Sequence, residues 1–339
     1  MPTIKDIARA CDVSTATVSY VINGKNTLLP ETRERVLRTM REMNYHPSAV
    51  ARGLAKKRMN TLGILFDNIG SEIAIWHPYT SGILQGVLAA SAQAGYNVTI
   101  FTELWQSAEL SLPKLRDQRT DGIIIVAPPT DTDILPSLRS AGSRVVTISS
   151  ESDSFGMPAV DVDNALGIVL AVQHLRGLGH KRIAFLGGEP NMYSAKIRLE
   201  AFRDALQASG EEVLPEYLAT ASYQNTEVAE CQARHLLTLP APPTAIVAGN
   251  DQIAMAALDV ARNLGISVPR QLSIVGFDDI PDAARFQPPL TTVRQPLTEI
   301  GAAATQILLR LLSGEAVPSD TLLITPTLTV RGTTAPPSI

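Results

Sequence analysis

From residue 61 onward, short runs of consecutive apolar residues alternate with stretches whose apolar residues recur at helical spacing. Strands are predicted at residues 61–66, 96–101, 122–126 and 144–148, and in a second set at residues 182–186, 244–248 and 272–277. Helices are predicted between them, at residues 80–94, 164–178, 195–209, 226–238 and 251–264. Apolar strands between amphipathic helices are typical of parallel sheets covered on both faces. The pattern therefore predicts an α/β body of two lobes. Ligands of such sheets bind beyond the carboxyl ends of the strands, here in the cleft between the lobes.

The amino-terminal residues follow a different pattern, which predicts two short helices joined by a tight bend. Their apolar positions are spaced for one shared core, at Ile4, Ile7, Ala8, Val18, Val21 and Ile22. Between them, Ser14 can cap the second helix, and Gly24 can end it in a left-handed conformation. This arrangement is typical of a helix-turn-helix, whose second helix lies in the DNA major groove, although another small helical hairpin could show the same spacing.

Five residues of the second predicted helix face away from its apolar stripe. They are Thr15, Ala16, Thr17, Ser19 and Tyr20. Their hydroxyl and methyl groups can contact base edges and thymine methyls.

Charge is distributed unevenly along the chain. Residues 1–60 hold 11 Lys and Arg against 5 Asp and Glu, whereas the rest holds 18 against 28, within a net charge of −4. A basic amino-terminal segment on an acidic body indicates that only the segment neutralises DNA phosphates. For the individual arginines of a third predicted helix, residues 29–45, a solvated helix face is the alternative interpretation. The core stripe of that helix is predicted at Val36, Leu37, Met40 and Met43.

Residues 48–55 form a weakly apolar stretch that is too short to be stable alone as a helix in water. One interpretation is a hinge helix that folds only on DNA or on a second subunit, with Leu54 wedged between base steps in the minor groove. The other is that residues 46–60 are a plain linker and that Leu54 packs on the body. The sequence leaves both interpretations open.

The composition is that of a globular protein, with 45% hydrophobic and 18% charged residues, and 339 residues suggest two or three domains. No apolar run is long enough for a membrane span, and the amino terminus lacks the pattern of a secretory signal. We interpret Cys11 and Cys231 as small buried thiols in a reducing compartment, and we expect a cytoplasmic protein.

Motifs of catalysis and cofactor binding are absent or incomplete. The run Gly177-Leu-Gly-His-Lys-Arg182 begins like a dinucleotide loop but lacks the third glycine and follows a helix, so Gly179 is interpreted as a helix C-cap. The sequence contains no phosphate loop ending in Gly-Lys-Ser/Thr, no Gly-x-Ser-x-Gly elbow and no paired-histidine zinc motif. We therefore expect no enzymatic activity, no cofactor and no metal site.

Longer motifs run through the whole chain. In the amino-terminal segment they are Thr3-Ile-Lys-Asp-Ile-Ala8 through Val18-Ser19, Asn44-Tyr-His-Pro47 and Ala49-Val-Ala-Arg-Gly-Leu54. In the body they are Val162-Asp-Asn-Ala-Leu-Gly167, Leu178-Gly-His-Lys-Arg-Ile183, Gly249-Asn-Asp251, Val275-Gly-Phe-Asp-Asp279 and Pro289-Leu-Thr-Thr-Val293. Together these motifs resemble the LacI/GalR family of bacterial transcription repressors, with an amino-terminal segment similar to that of purine-repressor-like members.

The resemblance implies a homodimer that binds a near-palindromic operator in double-stranded DNA, with one recognition helix in each half-site. It implies base contacts from Thr15, Ala16 and Tyr20, phosphate contacts from Thr17 and Asn23, and a minor-groove wedge at Leu54. The candidate DNA-binding set is completed by Thr3, Lys5, Ser14 and Lys56.

The resemblance also implies a division of the chain into a DNA-binding domain at 1–47, a hinge helix and linker at 48–60, and an effector-binding and dimerisation body at 61–339. The body is implied to have a periplasmic-binding-protein-like fold, in which the chain crosses between the lobes three times. One lobe is expected at about 61–160 plus 291–325 and the other at about 161–290.

Candidate effector-binding residues follow from the same resemblance, at Arg198, Tyr223, Asn250 and Asp278. A guanidinium fork suits vicinal hydroxyls or a carboxylate, and a carboxylate accepts hydrogen bonds from ligand hydroxyls or ring N–H groups. The alternatives are an inter-helix salt bridge for Arg198 and a strand-end cap for Asp278.

Residues 67–79 depart from the short Asn-Pro-Phe-Phe-like turn that is usual in the family. They bring Trp76, His77 and Tyr79 to the expected cleft mouth, where aromatic rings can stack on sugar faces or on planar bases. Together with the polar candidates, these rings predict a carbohydrate effector, a sugar or sugar derivative, and a nucleobase or another small metabolite is the alternative. Because no tetramerising heptad is evident at the carboxyl terminus, a dimer is expected.

Three other functional classes share single features with this sequence. A periplasmic sugar receptor would lack the basic segment and would need an export signal. A sugar-processing enzyme would need two carboxylates at a defined separation, and a nucleoid-type DNA binder would lack the ligand-binding body.

Overall fold

The computed structural model describes residues 2–24, 28–47, 53, 58–66, 77–102, 107–150, 155–223, 225–318 and 320–338. The chain divides into two compact units, Met1–Asn60 and Thr61–Ile339. The candidate residues Leu54, Lys56 and Trp76 lie outside the described residues, as does most of the predicted hinge helix. Their roles and the boundary of the hinge therefore stay predictions.

The amino-terminal unit contains helices α1 (Ile4–Ala10), α2 (Thr15–Ile22) and α3 (Pro30–Glu42). Ser14 caps α2 as predicted, because its hydroxyl accepts a hydrogen bond from the backbone N–H of Thr17 at 3.0 Å. Gly24 follows α2 with a φ of 67°, a left-handed conformation that glycine adopts without the steric cost of a side chain.

The three helices enclose a small core of their own. It consists of Ile7, Ala8, Cys11, Val18, Val21 and Val36. Leu37, which the sequence predicts in this core, is instead 39% exposed. Its neighbour Val36 is completely buried and takes the inward position on α3, which leaves Leu37 at the edge of the core.

The body unit contains two six-stranded sheets, one in each lobe. The first sheet consists of β1 (Thr61–Phe66), β2 (Asn97–Phe101), β3 (Gly122–Val126), β4 (Val145–Ile148), β5 (Ala159–Val162) and β11 (Leu322–Ile324). The second consists of β6 (Ile183–Gly187), β7 (Leu218–Thr220), β8 (Ala245–Ala248), β9 (Ser273–Asp278), β10 (Thr291–Arg294) and β12 (Thr327–Thr329).

The strand orders are β11-β5-β4-β3-β1-β2 and β12-β10-β9-β8-β6-β7. Every pair is parallel except that of β10 with β12. In the first sheet Ile64 lies opposite Ile100 and Ile124, and in the second Ile246 lies opposite Ala184 and Ile274. Because the strands are parallel, the carboxyl ends of each sheet lie along one edge, where a ligand site is expected.

Helices cover the faces of both sheets. In the first lobe they are α4 (Pro78–Gln93), α5 (Ala108–Leu115), α6 (Ile134–Ser140) and α12 (Leu297–Ser313). In the second lobe they are α7 (Asn164–Gly177), α8 (Tyr193–Ala208), α9 (Thr226–Leu237), α10 (Asp251–Asn263) and α11 (Pro281–Arg285), with a 3₁₀ turn at Pro215–Tyr217. Gly179 ends α7 with a φ of 96°, which confirms the predicted C-cap.

Helices α4 and α12 pack closely because glycines lie at their contact. A Cβ atom on Gly86 would lie 2.0 Å from the carbonyl oxygen of Thr298, and one on Gly301 would lie 2.1 Å from that of Ile83. Only glycine therefore allows the two backbones to approach at these positions.

The chain crosses between the lobes three times, between β5 and α7, between β10 and α12, and between β11 and β12. The resemblance places the return to the first lobe near residue 291, whereas in the structure Thr291–Arg294 pairs with β9 in the second sheet. The return begins with α12. Likewise, the first lobe extends to Val162 because β5 pairs with β4.

The last described residues are built into the second lobe. The backbone N–H of Ile274 donates to the carbonyl oxygen of Thr333 at 2.9 Å, and the Thr333 hydroxyl donates back to the Ile274 carbonyl at 2.6 Å. The buried imidazole of His180 lies 2.9 Å from the carbonyl oxygen of Ala335. Arg331 forms an ion pair with Asp279 at 2.5 Å, so residues 331–335 are part of the lobe rather than a loose tail.

The two cysteines differ in environment. Cys11 is buried as predicted, but Cys231 is exposed, so the prediction of a buried thiol is wrong there. The inward face of α9 is formed by Ala229, Ala233 and Leu236, which directs residue 231 to solvent. Among the helices in the described part of the chain, none has the length and apolar character needed to cross a bilayer.

Candidate functional site

The exposed face of α2 carries three candidate DNA-binding residues. Thr15, Ala16 and Tyr20 lie on the side opposite the buried Val18, and Tyr20 is 40% exposed. Lys5 is exposed on α1. The arrangement offers one polar helix face with hydroxyl and methyl groups, which is the chemistry needed for contact with base edges.

Four other candidates have hydrogen-bond partners within the same unit. The hydroxyl and backbone N–H of Thr3 donate to Asp6 at 2.7 and 2.8 Å, and these bonds hold the pKa of the Asp6 carboxyl below its usual value. The hydroxyls of Ser14 and Thr17 are 2.9 Å apart, and the Asn23 amide donates to a backbone carbonyl of α2 at 2.8 Å. These side chains fix the ends of α1 and α2 and so define the geometry of the helix-turn-helix.

A cavity of about 80 Å³ lies between the two lobes at the carboxyl ends of their strands. The first lobe contributes Phe66, His77, Tyr79, Val126 and Ser149 to its wall. The second lobe contributes Arg198, Tyr223, Asn250, Asp278 and Gln295. The volume holds several water molecules, at roughly 10–15 Å³ each, and therefore suits a small metabolite rather than a macromolecule.

Arg198 projects from α8 into this cavity and is only 4% exposed. Its Nε donates to the side-chain oxygen of Asn164 at 2.7 Å, and its Nη1 donates to the carbonyl oxygen of Gly249 at 2.5 Å. The guanidinium carbon lies 3.6 Å from the centre of the Phe277 ring. These contacts fix the guanidinium plane before any ligand arrives.

Asp278 ends β9 and is 5% exposed. Its Oδ1 accepts a hydrogen bond from the Gln295 amide at 2.6 Å and lies 4.0 Å from Nη1 of Arg198. Burial raises the pKa of the Asp278 carboxyl to about 6, against the opposing effect of the Arg198 charge. The alternative of a bare strand-end cap does not account for a carboxyl group that lines the cavity beside a buried arginine.

Behind the cavity wall lies a second buried carboxyl group, that of Asp161 on β5. Its Oδ1 accepts from the backbone N–H of Val162 at 2.8 Å and from the Ser149 hydroxyl at 3.2 Å, and its Oδ2 accepts from the Asn164 amide at 2.9 Å. Burial raises the pKa of Asp161 to about 7, partly offset by the Arg198 charge. A hydrogen-bonded chain thus runs from Asp161 through Asn164 to Arg198 and connects the two lobes.

The aromatic residues of the wall are also held in place. The Tyr79 hydroxyl lies 2.5 Å from that of Ser149, and burial raises the pKa of Tyr79. The ring of Tyr223 packs against Gly188, where a Cβ atom would lie 2.3 Å from the ring. Nε2 of His77 lies 2.8 Å from the side-chain oxygen of Gln252, a direct contact between the lobes.

Asn250 uses its side-chain oxygen in a structural role, whereas its side-chain amide nitrogen is not used in that role. Its side-chain oxygen caps α10 by accepting from the backbone N–H of Ile253 at 2.9 Å. The side-chain amide faces the cavity with no protein acceptor recorded among the described residues. The next residue, Asp251, is completely buried and accepts from Thr292 and from the backbone of Ile280, and burial raises its pKa well above the usual value.

Five of the six sequence-predicted effector residues line this one cavity, namely Tyr79, Arg198, Tyr223, Asn250 and Asp278. Sequence reasoning missed Gln295, Ser149 and Asp161. A usable signal existed for Asp161, a charged residue between two valines in a short apolar run, which indicates a buried carboxyl group with partners. Ser149 directly follows a predicted strand, but Gln295 follows β10, which the sequence did not predict.

Comparisons with known proteins agree with this architecture. Residues 3–48 match the model of bacterial regulatory proteins of the lacI family, and residues 172–334 match the periplasmic binding protein-like domain. The HTH-type transcriptional repressor PurR of Haemophilus influenzae is 32% identical over 336 residues, which cover 98% of each chain.

Two solved structures share the fold along nearly the whole chain. The lac repressor dimer bound to operator and the anti-inducer ONPF has a TM-score of 0.86 and 28% identity, and the match covers 98% of this chain and 99% of that one. The complex of the transcriptional regulator CelR with cellobiose has a TM-score of 0.75 and 29% identity, with coverage of 98% and 100%. The chain therefore belongs to the LacI family of bacterial regulatory proteins and is a DNA-binding transcriptional regulator, not an enzyme.

Proposed function

We propose that this protein is a repressor that binds a near-palindromic operator as a homodimer and is controlled by a small polyhydroxylated molecule, a sugar or sugar derivative, in the cleft between its lobes. The observation that carries the proposal is the convergence of Arg198, Asn250 and Asp278 on one small cavity. Vicinal hydroxyls both donate and accept hydrogen bonds, so they suit a wall that offers a guanidinium, an amide and a carboxylate together. The cellobiose bound to CelR supports the same class of effector.

For the DNA side, we assign operator binding to residues 1–47, with base contacts from Thr15, Ala16 and Tyr20. Phosphate contacts are assigned to Lys5, Thr17 and Asn23, with Thr3 and Ser14 at the helix starts, where backbone N–H groups can face phosphates. Residues 48–60, including Leu54 and Lys56, are assigned as the hinge that enters the minor groove. A regulator of chromosomal genes acts in the cytoplasm, which is the location that we propose.

The switch follows from the position of the cavity between two lobes that three chain crossings connect. An effector that binds one relative orientation of the lobes better than another shifts the population of that orientation. In a dimer this shift moves the two hinge segments together or apart, and a coupling of about 1–3 kcal/mol changes operator affinity by about 5-fold to 150-fold.

The test begins with operators selected from random DNA by the full-length protein, followed by gel-shift titrations with sugars, including cellobiose, and with nucleobases. We expect selection of a palindrome of two half-sites, and we expect a sugar to change its affinity. Selection of no palindrome contradicts the DNA assignment, and a response to nucleobases alone replaces the sugar by the nucleobase alternative.

Arg198→Ala tests the cleft directly. Since hydrogen bonds to charged groups contribute about 1.5–3 kcal/mol, we expect the active sugar to bind at least about tenfold more weakly. Asn250→Ser is a milder second variant, because serine keeps the helix cap but removes the amide donor. Arg203→Ala, at an exposed position on the same helix, is the matched control. An unchanged response of Arg198→Ala would refute the assignment of the cleft.

A further inference from the structure

The protein itself uses two of the five N–H groups of the Arg198 guanidinium. Nε and Nη1 donate to Asn164 and Gly249, and one face of the guanidinium lies against Phe277. Phosphate and carboxylate groups are bound most strongly by two parallel N–H groups of an arginine. Because the single N–H of Nε is used, the parallel pair of Nε and Nη2 is not available to an anion. The N–H groups that remain are those of Nη2 and one of Nη1, and Nη1 lies 4.0 Å from Oδ1 of Asp278.

The opposite side of the cavity presents acceptors. Gln295 is 4% exposed, and its amide nitrogen donates to Oδ1 of Asp278, which leaves its own Oε1 buried without a hydrogen-bond partner. Within the described residues, Oδ2 of Asp278 has no recorded donor either. Buried acceptors without donors are costly, so these two oxygens favour a ligand that supplies donors to both. A phosphate monoester offers mainly acceptor oxygens at this position.

The charge of the cavity gives a second, independent argument. With histidine counted as neutral, the lining residues contain one cation, Arg198, and one carboxyl group, Asp278. The carboxyl group of Asp161 lies directly behind Ser149 and Asn164. No further Lys or Arg lines the cavity among the described residues. An anionic ligand would therefore lose its hydration in a buried site that contains no surplus of positive charge.

We propose that the effector of this protein is an uncharged molecule that presents hydrogen-bond donors to both Gln295 and Asp278, and that the cleft discriminates against phosphorylated or carboxylated forms of that molecule. The proposal rests on the proposed effector function and specifies its ligand. Gln295 is thereby assigned as a specificity-determining residue.

The experiment uses small metabolites extracted from the organism that carries this gene, separated on ion exchangers into uncharged, anionic and cationic pools. Each pool, at equal cell equivalents, is added to the full-length protein, and the melting temperature is measured. A ligand present at one hundred times its Kd is expected to raise that temperature by at least about 5 °C. We expect the shift with the uncharged pool alone.

The possible outcomes separate this inference from the proposed function. A shift with the anionic or cationic pool overturns the proposal of an uncharged effector but leaves an effector-controlled regulator standing. A shift with none of the pools contradicts the effector function itself, and with it this inference.

Variants then test the two acceptors with the uncharged pool. Gln295→Met removes the buried acceptor at similar size, and Asp278→Asn replaces a carboxylate oxygen by a donor. For both we expect the half-maximal amount of the pool to rise at least about tenfold, the effect of losing one hydrogen bond to a charged or buried group. Gln207→Met and Asp204→Asn, at exposed positions on α8, are the matched controls. If the variants respond like their controls, the assignment of Gln295 and Asp278 is wrong.

Discussion

At Asp278 and Asp279 two consecutive residues other than glycine have positive φ, 123° and 59°. Such backbone conformations cost free energy and persist where surrounding contacts determine them. Here the contacts are the ion pairs of Asp279 with Arg294 at 2.6 Å and with Arg331 at 2.5 Å, and the bond from Gln295 to Asp278. The strain and the burial of the Asp278 carboxyl group lower the stability of the folded protein, and ligand binding is the function that this loss of stability serves.

Asp278→Asn is expected to stabilise the ligand-free protein increasingly as the pH rises. The folded-state pKa of about 6 lies above the ordinary aspartate value of 3.8, so the folded state binds more protons between these values, and the wild type loses stability as pH increases through this window. From pH 4 to pH 7.5 the free energy of unfolding of the variant should gain about 2–3 kcal/mol relative to wild type. Above pH 7.5 the difference should stay constant.

Urea unfolding at several pH values measures this difference, with Asp204→Asn as the control for a carboxyl group in solvent. Parallel pH curves for wild type and Asp278→Asn would show that burial does not perturb this group. Burial lowers the pKa values of His174 and His180, which also change stability with pH. Both residues are present in wild type and in Asp278→Asn, so their contributions cancel in the difference between the two proteins.

Among the elements, the contact of α4 with α12 is the most demanding sterically. Gly86 and Gly301 each face a backbone carbonyl of the opposite helix at about 2 Å from the Cβ position. We expect Gly86→Ala to lower the free energy of unfolding of the body by about 2 kcal/mol or more, because the helices must separate.

Gly177→Ala is the matched control for this variant, since Gly177 also lies in a helix but has no atom within 4 Å of its Cβ position. We expect it to be neutral or to stabilise the protein by up to about 1 kcal/mol, the usual gain from alanine in a helix. Equal effects of the two substitutions in urea unfolding would show that helix propensity, and not the close contact, determines the result.

The sequence predicted long elements better than short or irregular ones. Each of the seven predicted strands is present to within a residue at either end, because continuous apolar runs between amphipathic helices have few alternatives. Five strands were missed, β5, β7, β10, β11 and β12, since three or four residues carry too little pattern. Helix α12 was also missed, although its buried residues Ile300, Ala304, Ile307 and Leu308 recur at helical spacing.

For the site, prediction worked where a residue carries recognisable chemistry and follows a predicted strand. Asn250 and Asp278 met both conditions, and Arg198 lies in a matching motif. Gln295 met neither condition, because its partner and its burial depend on the pairing of β9 with β10 across the second sheet. A buried amide oxygen without a hydrogen-bond donor can be recognised only when the tertiary contacts are known.

At the scale of the whole molecule, the basic and acidic parts of the chain coincide with the two compact units. The unit Met1–Asn60 holds the surplus of Lys and Arg, and the body is acidic. This distribution favours phosphate contacts with the amino-terminal unit over contacts with the acidic body, since like charges repel.

We expect operator affinity to fall steeply with salt, with a slope that reports the number of phosphates neutralised. Lys5→Ala should weaken binding to all sequences alike and reduce the slope of log K against log salt by about one for each amino-terminal unit of the dimer. Fluorescence anisotropy with the selected operator and with random DNA measures both quantities. Lys181→Ala, at an exposed position of the body, is the control. A change in specificity without a change in slope would place Lys5 on a base instead.

The three crossings also determine when during synthesis the body can be completed. The first sheet needs β11, and the second needs β12 together with Thr333 and the Ala335 carbonyl that contacts His180. Neither sheet is complete before these residues have been synthesised, so a nascent chain that ends before residue 335 exposes an unfinished sheet. A stop codon before Leu322 would therefore remove an edge strand from each of the two sheets, and we expect such a truncation to abolish regulation.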